Sequence, residues 1–126
     1  MKLLLDTHLF LWCLAEDKRL TKKAREKILL ASEIYVSSAS IWEAAIKVGL
    51  KKLDANIDEL VTYIDKSGFI ELPVTARHAA RVCHLQNFHR DPFDRLLIAQ
   101  AAEEPLTLLT SDAHLKSYSE ALIELV

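Results

Sequence analysis

Asp91 and Asp94 stand at the head of Asp91-Pro92-Phe93-Asp94-Arg95-Leu96-Leu97-Ile98-Ala99-Gln100-Ala101, a stretch that is otherwise mostly apolar, and His89-Arg90 lead into it. Pro92 suits the first position of a helix, where its missing N–H would be unpaired anyway. Asp91 is then the natural N-cap. Asp94 lies one turn in, with Leu97, Ile98 and Ala101 following on one face. A carboxylate above an apolar stripe should be paired or bound to a cation, because burying a lone charge is very costly. The plainer reading is a first-turn acid favoured by the helix dipole.

Asp6 and Asp112 share a second arrangement. Lys2 to Leu5 and Leu106 to Leu109 are short apolar runs, Asp6 and Thr110-Ser111-Asp112 follow them, and helical segments come next. The carboxyl end of a strand in an open α/β sheet is where ligands bind. An ordinary helix cap is the competing account for Asp6. Glu43 falls in the expected first turn of a helix over Ile41 to Leu50, with Lys47 four residues on. A Glu–Lys surface pair is the usual meaning of that spacing.

The elements that must position these acids alternate along the chain. Strands are expected at Lys2 to Leu5, Ile34 to Val36, Phe69 to Pro73 and Leu106 to Leu109, with Ile123 to Val126 as a fifth candidate. Pro73 puts the third near a sheet edge. Helices are expected from Thr7, and from a Thr21 cap to about Ala31 with Ala24, Ile28 and Leu29 on one side. Ser37-Ser38-Ala39-Ser40 supplies the cap for Ile41 to Leu50. The stretch Leu53 to Lys66 carries Ile57, Leu60, Val61 and Ile64 at helical spacing. A further helix starts at Thr75, with Ala79, Val82, Cys83 and Gln86 down one side; Asp91 to Glu103 follows, and Asp112 opens a short last helix toward Tyr118. This alternation implies a parallel sheet covered on both faces. The expected fold class is α/β, one domain over residues 1–126, with no internal repeat.

Right-handed crossovers place the strand-to-helix turns at one edge of such a sheet. Asp6 and Asp112 lie there, and Glu43 stands one short loop past the second strand. Asp94 joins them if residues 86–91 return the chain to that edge. Carboxylates in one cleft repel, and some would take up protons. A divalent cation removes the conflict, and carboxylate oxygens with water suit Mg²⁺ or Mn²⁺. Such a site can activate a water and stabilise a phosphodiester transition state.

Composition narrows the alternatives. At 126 residues the chain can bury a sizeable core, and 51% hydrophobic content with Gly 2 and Pro 3 excludes a disordered or linker-rich chain. Cys13 and Cys83 lie in apolar segments without metal or redox spacing, so buried free thiols in a reducing cytoplasm are expected. Asp6 interrupts the amino-terminal apolar run, so no signal peptide is expected, and no run is long enough to span a membrane. A net charge of −2 is not the footprint of a protein that holds nucleic acid by bulk charge. The basic stretch from Lys18 to Lys27, including Lys22 and Lys23, is either a solvated face or a phosphate-contacting patch, to which Arg90 and Arg95 would add. The histidines show no zinc spacing, although His8 is close enough to Asp6 to touch its site. Thr7, Ser37, Ser38, Ser40, Thr110 and Ser111 suit capping or holding carboxylates, and Trp12 and Trp42 suit the core or an interface, the core more often.

The stretches Leu4-Leu5-Asp6-Thr7, Ser40-Ile41-Trp42-Glu43 to Lys47-Val48-Gly49, His89 to Ala101, and Leu109-Thr110-Ser111-Asp112 together resemble the PIN-domain ribonucleases. They are similar to the VapC toxins of toxin–antitoxin pairs, over essentially the whole chain. The resemblance implies a PIN-like three-layer α/β/α fold with a short, mostly parallel central sheet of four to five strands. It places the acidic cluster on Asp6, Glu43, Asp94 and Asp112, with Asp91 in a supporting place. It implies Mg²⁺- or Mn²⁺-dependent cleavage of RNA, a homodimer and a VapB-like antitoxin that blocks the site. Three other readings compete. A phospho-acceptor signalling domain would carry adjacent acids after the first strand and a lysine after the last; here Thr7 follows Asp6, and no lysine follows the Leu106 to Val126 strands at the needed place. A haloacid-dehalogenase-like phosphatase would place an acid where His8 stands. A catalytically silent binding module would keep the same acids.

Overall fold

The amino-terminal apolar run forms β1 (Lys2–Leu5), with Leu3, Leu4 and Leu5 fully buried. Helices α1 (Thr7–Ala15) and α2 (Lys22–Leu30) lead to β2 (Glu33–Ser37). Helices α3 (Ser38–Gly49) and α4 (Ile57–Lys66) lead to β3 (Ile70–Leu72). Next come α5 (Ala76–Arg81), a 3₁₀ turn (Val82–His84), α6 (Pro92–Glu103) and β4 (Thr107–Thr110). A second 3₁₀ turn (Ala113–Ser117) precedes β5 (Ile123–Leu125). This computed structural model describes residues 1–86, 90–118 and 122–126; His89 and the middle of the 86–91 segment lie outside the described residues.

The five strands run in the order β3-β2-β1-β4-β5, and every neighbouring pair is parallel. Because strand side chains alternate between faces, the sheet feeds two cores. Leu3, Leu5, Val36 and Leu109 meet Leu9, Phe10, Ala24, Ala44, Leu60 and Ile64 on one side. Leu4, Leu108 and Ile123 meet Leu97, Ile98, Ala101, Leu115 and Tyr118 on the other. Each fully buried leucine contributes roughly 1.5–3 kcal/mol by leaving water. The layers are therefore α1 to α4, the sheet, and α6 with α5 packed against it. Among the described residues no helix is long and apolar enough to cross a membrane.

Five local expectations are corrected. Helix α3 starts at Ser38, not Ile41, because Ser37, the last residue of β2, also caps it by accepting the Ala39 N–H at 3.0 Å. Glu43 thus lies in the second turn. Leu29 is 83% exposed, since five residues on from buried Ala24 is nearly the opposite side of a helix. Helix α5 gives way to 3₁₀ geometry at Val82, so the expected apolar face does not persist. His78 is buried there, while Ala79, Cys83 and Gln86 are exposed. The thiol expected to be buried at Cys83 is therefore open, whereas burial pushes half-buried Cys13 up to about 11. Trp42, expected in the core, is 61% exposed.

Candidate acidic site at the carboxyl edge of the sheet

Asp6 follows β1 directly. Its backbone N–H donates to the Leu109 carbonyl at 3.1 Å, clamping the end of β1 to β4. Its side chain caps α1, with Oδ1 accepting the Leu9 N–H at 2.8 Å, and Oδ2 accepts the Thr110 hydroxyl. The carboxylate is only 4% exposed. Burial raises its pKa above the usual carboxylate range, and the nearby Asp112 charge adds to that; the Thr110 hydroxyl, the Leu9 N–H and His8 pull it back. The Thr110 oxygen also accepts the Asp112 N–H at 3.0 Å, so one hydroxyl positions both strand-end acids. Asp112 caps its 3₁₀ turn through the His114 N–H at 2.9 Å.

Glu43 is buried at 8% exposure. Its Oε2 meets Lys47 Nζ at 3.1 Å, which is the expected i,i+4 pair, but in a largely buried setting. Among the described residues its Oε1 is buried without any hydrogen-bond partner. Helix α3 is tied to α1 by a buried bond from the Thr7 hydroxyl to that of Ser40 at 2.9 Å, so these two residues join helices and do not cap them. Ser111 is exposed.

Asp91 caps α6 as expected: its Oδ1 accepts the N–H groups of Phe93 at 2.9 Å and Asp94 at 3.2 Å. Asp94 is half-buried in the first turn, above buried Leu97, Ile98 and Ala101. Because α6 feeds β4 through a short turn, its amino end stands at the carboxyl edge of the sheet. Trp42 packs edge-on against Phe93 with centroids 5.1 Å apart, fastening this first turn to α3 beside Glu43.

Among the described residues, no three His, Cys, Asp or Glu side chains form a group able to hold an ion as they stand. The chemistry of the residues still fits a cation. Glu43 Oε1 is an orphaned buried oxygen, and an unpaired buried acceptor is costly. Oxygen donors of this kind suit a hard divalent ion.

The PIN domain family model matches residues 3–121. The chain belongs to the PIN-domain family. Ribonuclease VapC22 of Mycobacterium tuberculosis (strain ATCC 25618 / H37Rv) is 32% identical to it over 117 residues, 91% of this chain and 90% of that one. The crystal structure of VapBC2 from Rickettsia felis, bound to a DNA fragment from their promoter, superposes with a TM-score of 0.72 at 18% identity, over 99% of this chain and 98% of that one. A toxin–antitoxin complex from Klebsiella pneumoniae gives a TM-score of 0.68 at 23% identity, over 96% and 94%. The fold is the three-layer α/β/α arrangement of the PIN domain.

In this PIN domain the expected phosphate contacts occupy different settings. Lys22 and Lys23 are exposed at the start of α2, with Lys22 only 4.0 Å from Glu26 in an open pair. The other end of α2 lies at the amino edge of the sheet, where the Ser32 N–H donates to the Met1 carbonyl at 2.9 Å. Arg90 is exposed. Arg95 is turned toward the protein instead. It donates to the carbonyls of Val82 at 3.1 Å and Gln86 at 3.2 Å, and to the Tyr118 hydroxyl at 3.4 Å. It ties α6 to the preceding 3₁₀ turn.

Two features of this PIN domain escaped the sequence reading. Trp42 and Phe93 each adjoin an acid, a signal present in the sequence, where Trp42 reads mainly as core and Phe93 has no assigned role. Arg19 stacks on Trp12 with its Cζ 5.1 Å from the ring centroid. No spacing rule links them, because the chain first reverses at Glu16, whose φ of 52° is left-handed.

Proposed function

We propose that this chain is a metal-dependent endoribonuclease, the toxin of a toxin–antitoxin pair. In this reading Asp6, Glu43, Asp94 and Asp112 hold a divalent cation, Mg²⁺ or Mn²⁺. The observation that carries the chemistry is Glu43 Oε1, a buried carboxylate oxygen with no partner in a chain whose relative is a ribonuclease. When bound, the cation would neutralise these carboxylates and act as a Lewis acid toward water and a phosphodiester oxygen.

The protein's own residues then have separable tasks. Lys47 holds one oxygen of Glu43 and leaves the other for ligation. Thr110 fixes the orientation of Asp6 through its hydroxyl proton and that of Asp112 through the backbone N–H it accepts. Asp91 fixes the first turn of α6, and with it Asp94. Lys22, Lys23 and Arg90 would meet the phosphate backbone of the RNA. The solved neighbours include toxin–antitoxin complexes, which supports a VapB-like antitoxin as the partner, and a cytoplasmic location goes with that reading. A homodimer is part of the same proposal.

The test is cleavage of single-stranded RNA by the purified chain with Mg²⁺, with Mn²⁺ and with EDTA. Cleavage should require the metal and leave a 3′-hydroxyl and a 5′-phosphate, because water attacks in place of the ribose 2′-hydroxyl. A cyclic phosphate product would rule out attack by water. Absence of metal-dependent cleavage would reduce the chain to a silent binding module.

Charge reversal of Lys22 or Lys23 should flatten the salt dependence of RNA binding by about one unit of slope each. An unchanged slope would identify that end of α2 as a solvated face.

A further inference from the structure

A groove of about 470 Å³ follows α1 from His8 to Ala15, with Lys47, Lys52 and the residues entering α4 on its other side. One end adjoins the acidic site. His8 is two residues from Asp6, and Lys47 holds Glu43 at 3.1 Å. The His8 ring leans on the Trp12 indole there, with centroids 6.1 Å apart, and the Arg19 guanidinium lies over the same indole.

Arg19 is held in place. Asp17 accepts its Nε at 3.1 Å and its Nη2 at 2.7 Å, and the Arg19 backbone N–H donates to the same carboxylate at 2.8 Å. This fork lowers the Asp17 carboxyl to about 2, so the partner stays ionised across the working pH range. The Arg19 side chain nevertheless remains 68% exposed. A planar cation backed by an indole and gripped in its own plane is a stacking surface for a nucleobase, and bases stack on guanidinium planes as they do on aromatic rings. Lys52 lines the same groove, anchored near Lys47 by its N–H to the Lys47 carbonyl at 2.8 Å. Asp17 is already matched by Arg19. The remaining acids in the lining, Asp54 and Glu59, follow Lys52 toward and into α4, which disfavours a phosphate chain extending past Lys52.

We propose that this groove is a nucleotide subsite for single-stranded RNA leading away from the acidic site, with a base stacked on Arg19 over Trp12 and a phosphate on Lys52. It rests on the ribonuclease reading above, and the strand it takes is a substrate, not a partner protein.

The binding experiment uses the full chain carrying Trp42→Phe, which leaves Trp12 as the only tryptophan, and the cleavage assays keep Trp42. Short single-stranded oligoribonucleotides, intact or abasic at one position in turn, are titrated in EDTA while Trp12 emission is read. Emission should change saturably, and one abasic position should weaken binding roughly five- to fiftyfold. Arg19→Ala should lose the same factor on the intact strand and nothing more on that abasic strand. In cleavage assays with metal, Arg19→Ala and Lys52→Ala should raise KM while kcat stays within about twofold. Lys52→Arg should restore KM, whereas Arg19→Lys, which keeps charge but loses the plane, should not. Unchanged emission, abasic losses identical in Arg19→Ala and wild type, or a fall in kcat at constant KM would each overturn the subsite. The two readings fail separately. Cleavage without the Arg19 signature removes only the subsite, and binding with that signature but no metal-dependent cleavage removes only the nuclease.

Discussion

Asp6→Asn should abolish cleavage and at the same time raise the melting temperature of the metal-free chain. Loss of a ligand charge should lower the rate by at least roughly a hundredfold. The gain in stability follows from burial. Asp6 is 4% exposed, and desolvation raises its carboxyl pKa. A raised acid pKa means that the fold prefers the protonated form, so the ionised form costs stability at neutral pH. Asn removes that charge, still accepts the Leu9 N–H as a good cap, and can donate its amide to Thr110. The expected shift is a few degrees, on the order of 1 kcal/mol. Its pH dependence has a definite sign. The penalty on wild type is absent where Asp6 is protonated in both states, and it grows as pH rises from the unfolded carboxylate range through the raised folded value. The two melting temperatures should therefore converge on acidification. With saturating Mg²⁺ the order should invert, because only wild type gains from binding the ion. Thermal melts across pH, with and without metal, provide the check. A less stable Asp6→Asn variant at neutral pH without metal would show that the carboxylate is already compensated within the protein.

How much of this was readable in advance depended on where each residue's partners lie. The strands at Lys2 and Thr107 were legible because a strand buried on both faces must be apolar throughout. The caps at Thr21, Thr75 and Asp91 were legible because the group they satisfy is two or three residues away. Ser37 was less so, since it serves as both the last residue of β2 and the cap of α3. His78 looks like a polar break in an apolar face, yet it is buried. Its Nδ1 accepts the Thr75 N–H at 3.0 Å, and its Nε2 is 2.7 Å from Glu104, a partner 26 residues away. The candidate site divides the same way. The edge occupied by Asp6 and Asp112 follows from strand-then-helix order alone. That Thr110 joins those two acids, and that Glu43 keeps one paired and one orphaned oxygen, depends on packing between α1, α3 and the sheet. The Arg19–Trp12 stack lay outside any local pattern for the same reason.

Asp91 and Asp94 are three residues apart, and exchanging each for Asn should have opposite consequences. Asp91 is exposed, and its Oδ1 is engaged by the backbone N–H groups of Phe93 and Asp94. Asn offers the same oxygen at an N-cap, so Asp91→Asn should change stability by no more than a few tenths of a kcal/mol. Its cleavage rate should fall only moderately, by about tenfold or less, since its influence on the site passes through the orientation of the first turn of α6. Asp94 stands above Leu97 and Ile98 within that turn, on the helix that Trp42 and Phe93 fasten beside Glu43. Asp94→Asn removes a charge proposed to bind the cation, so cleavage should vanish and metal affinity should fall. The metal-free fold should be unchanged or slightly more stable, because in the proposed site a carboxylate is taken away from other carboxylates. Melts with and without Mg²⁺, run beside cleavage rates, resolve the pair. The decisive quantity is the Mg²⁺-induced rise in melting temperature, which should persist in Asp91→Asn and disappear in Asp94→Asn. The reverse pattern, with Asp94→Asn still turning over and Asp91→Asn silent, would move the ligand role onto the capping residue and leave Asp94 as a first-turn acid serving the helix dipole.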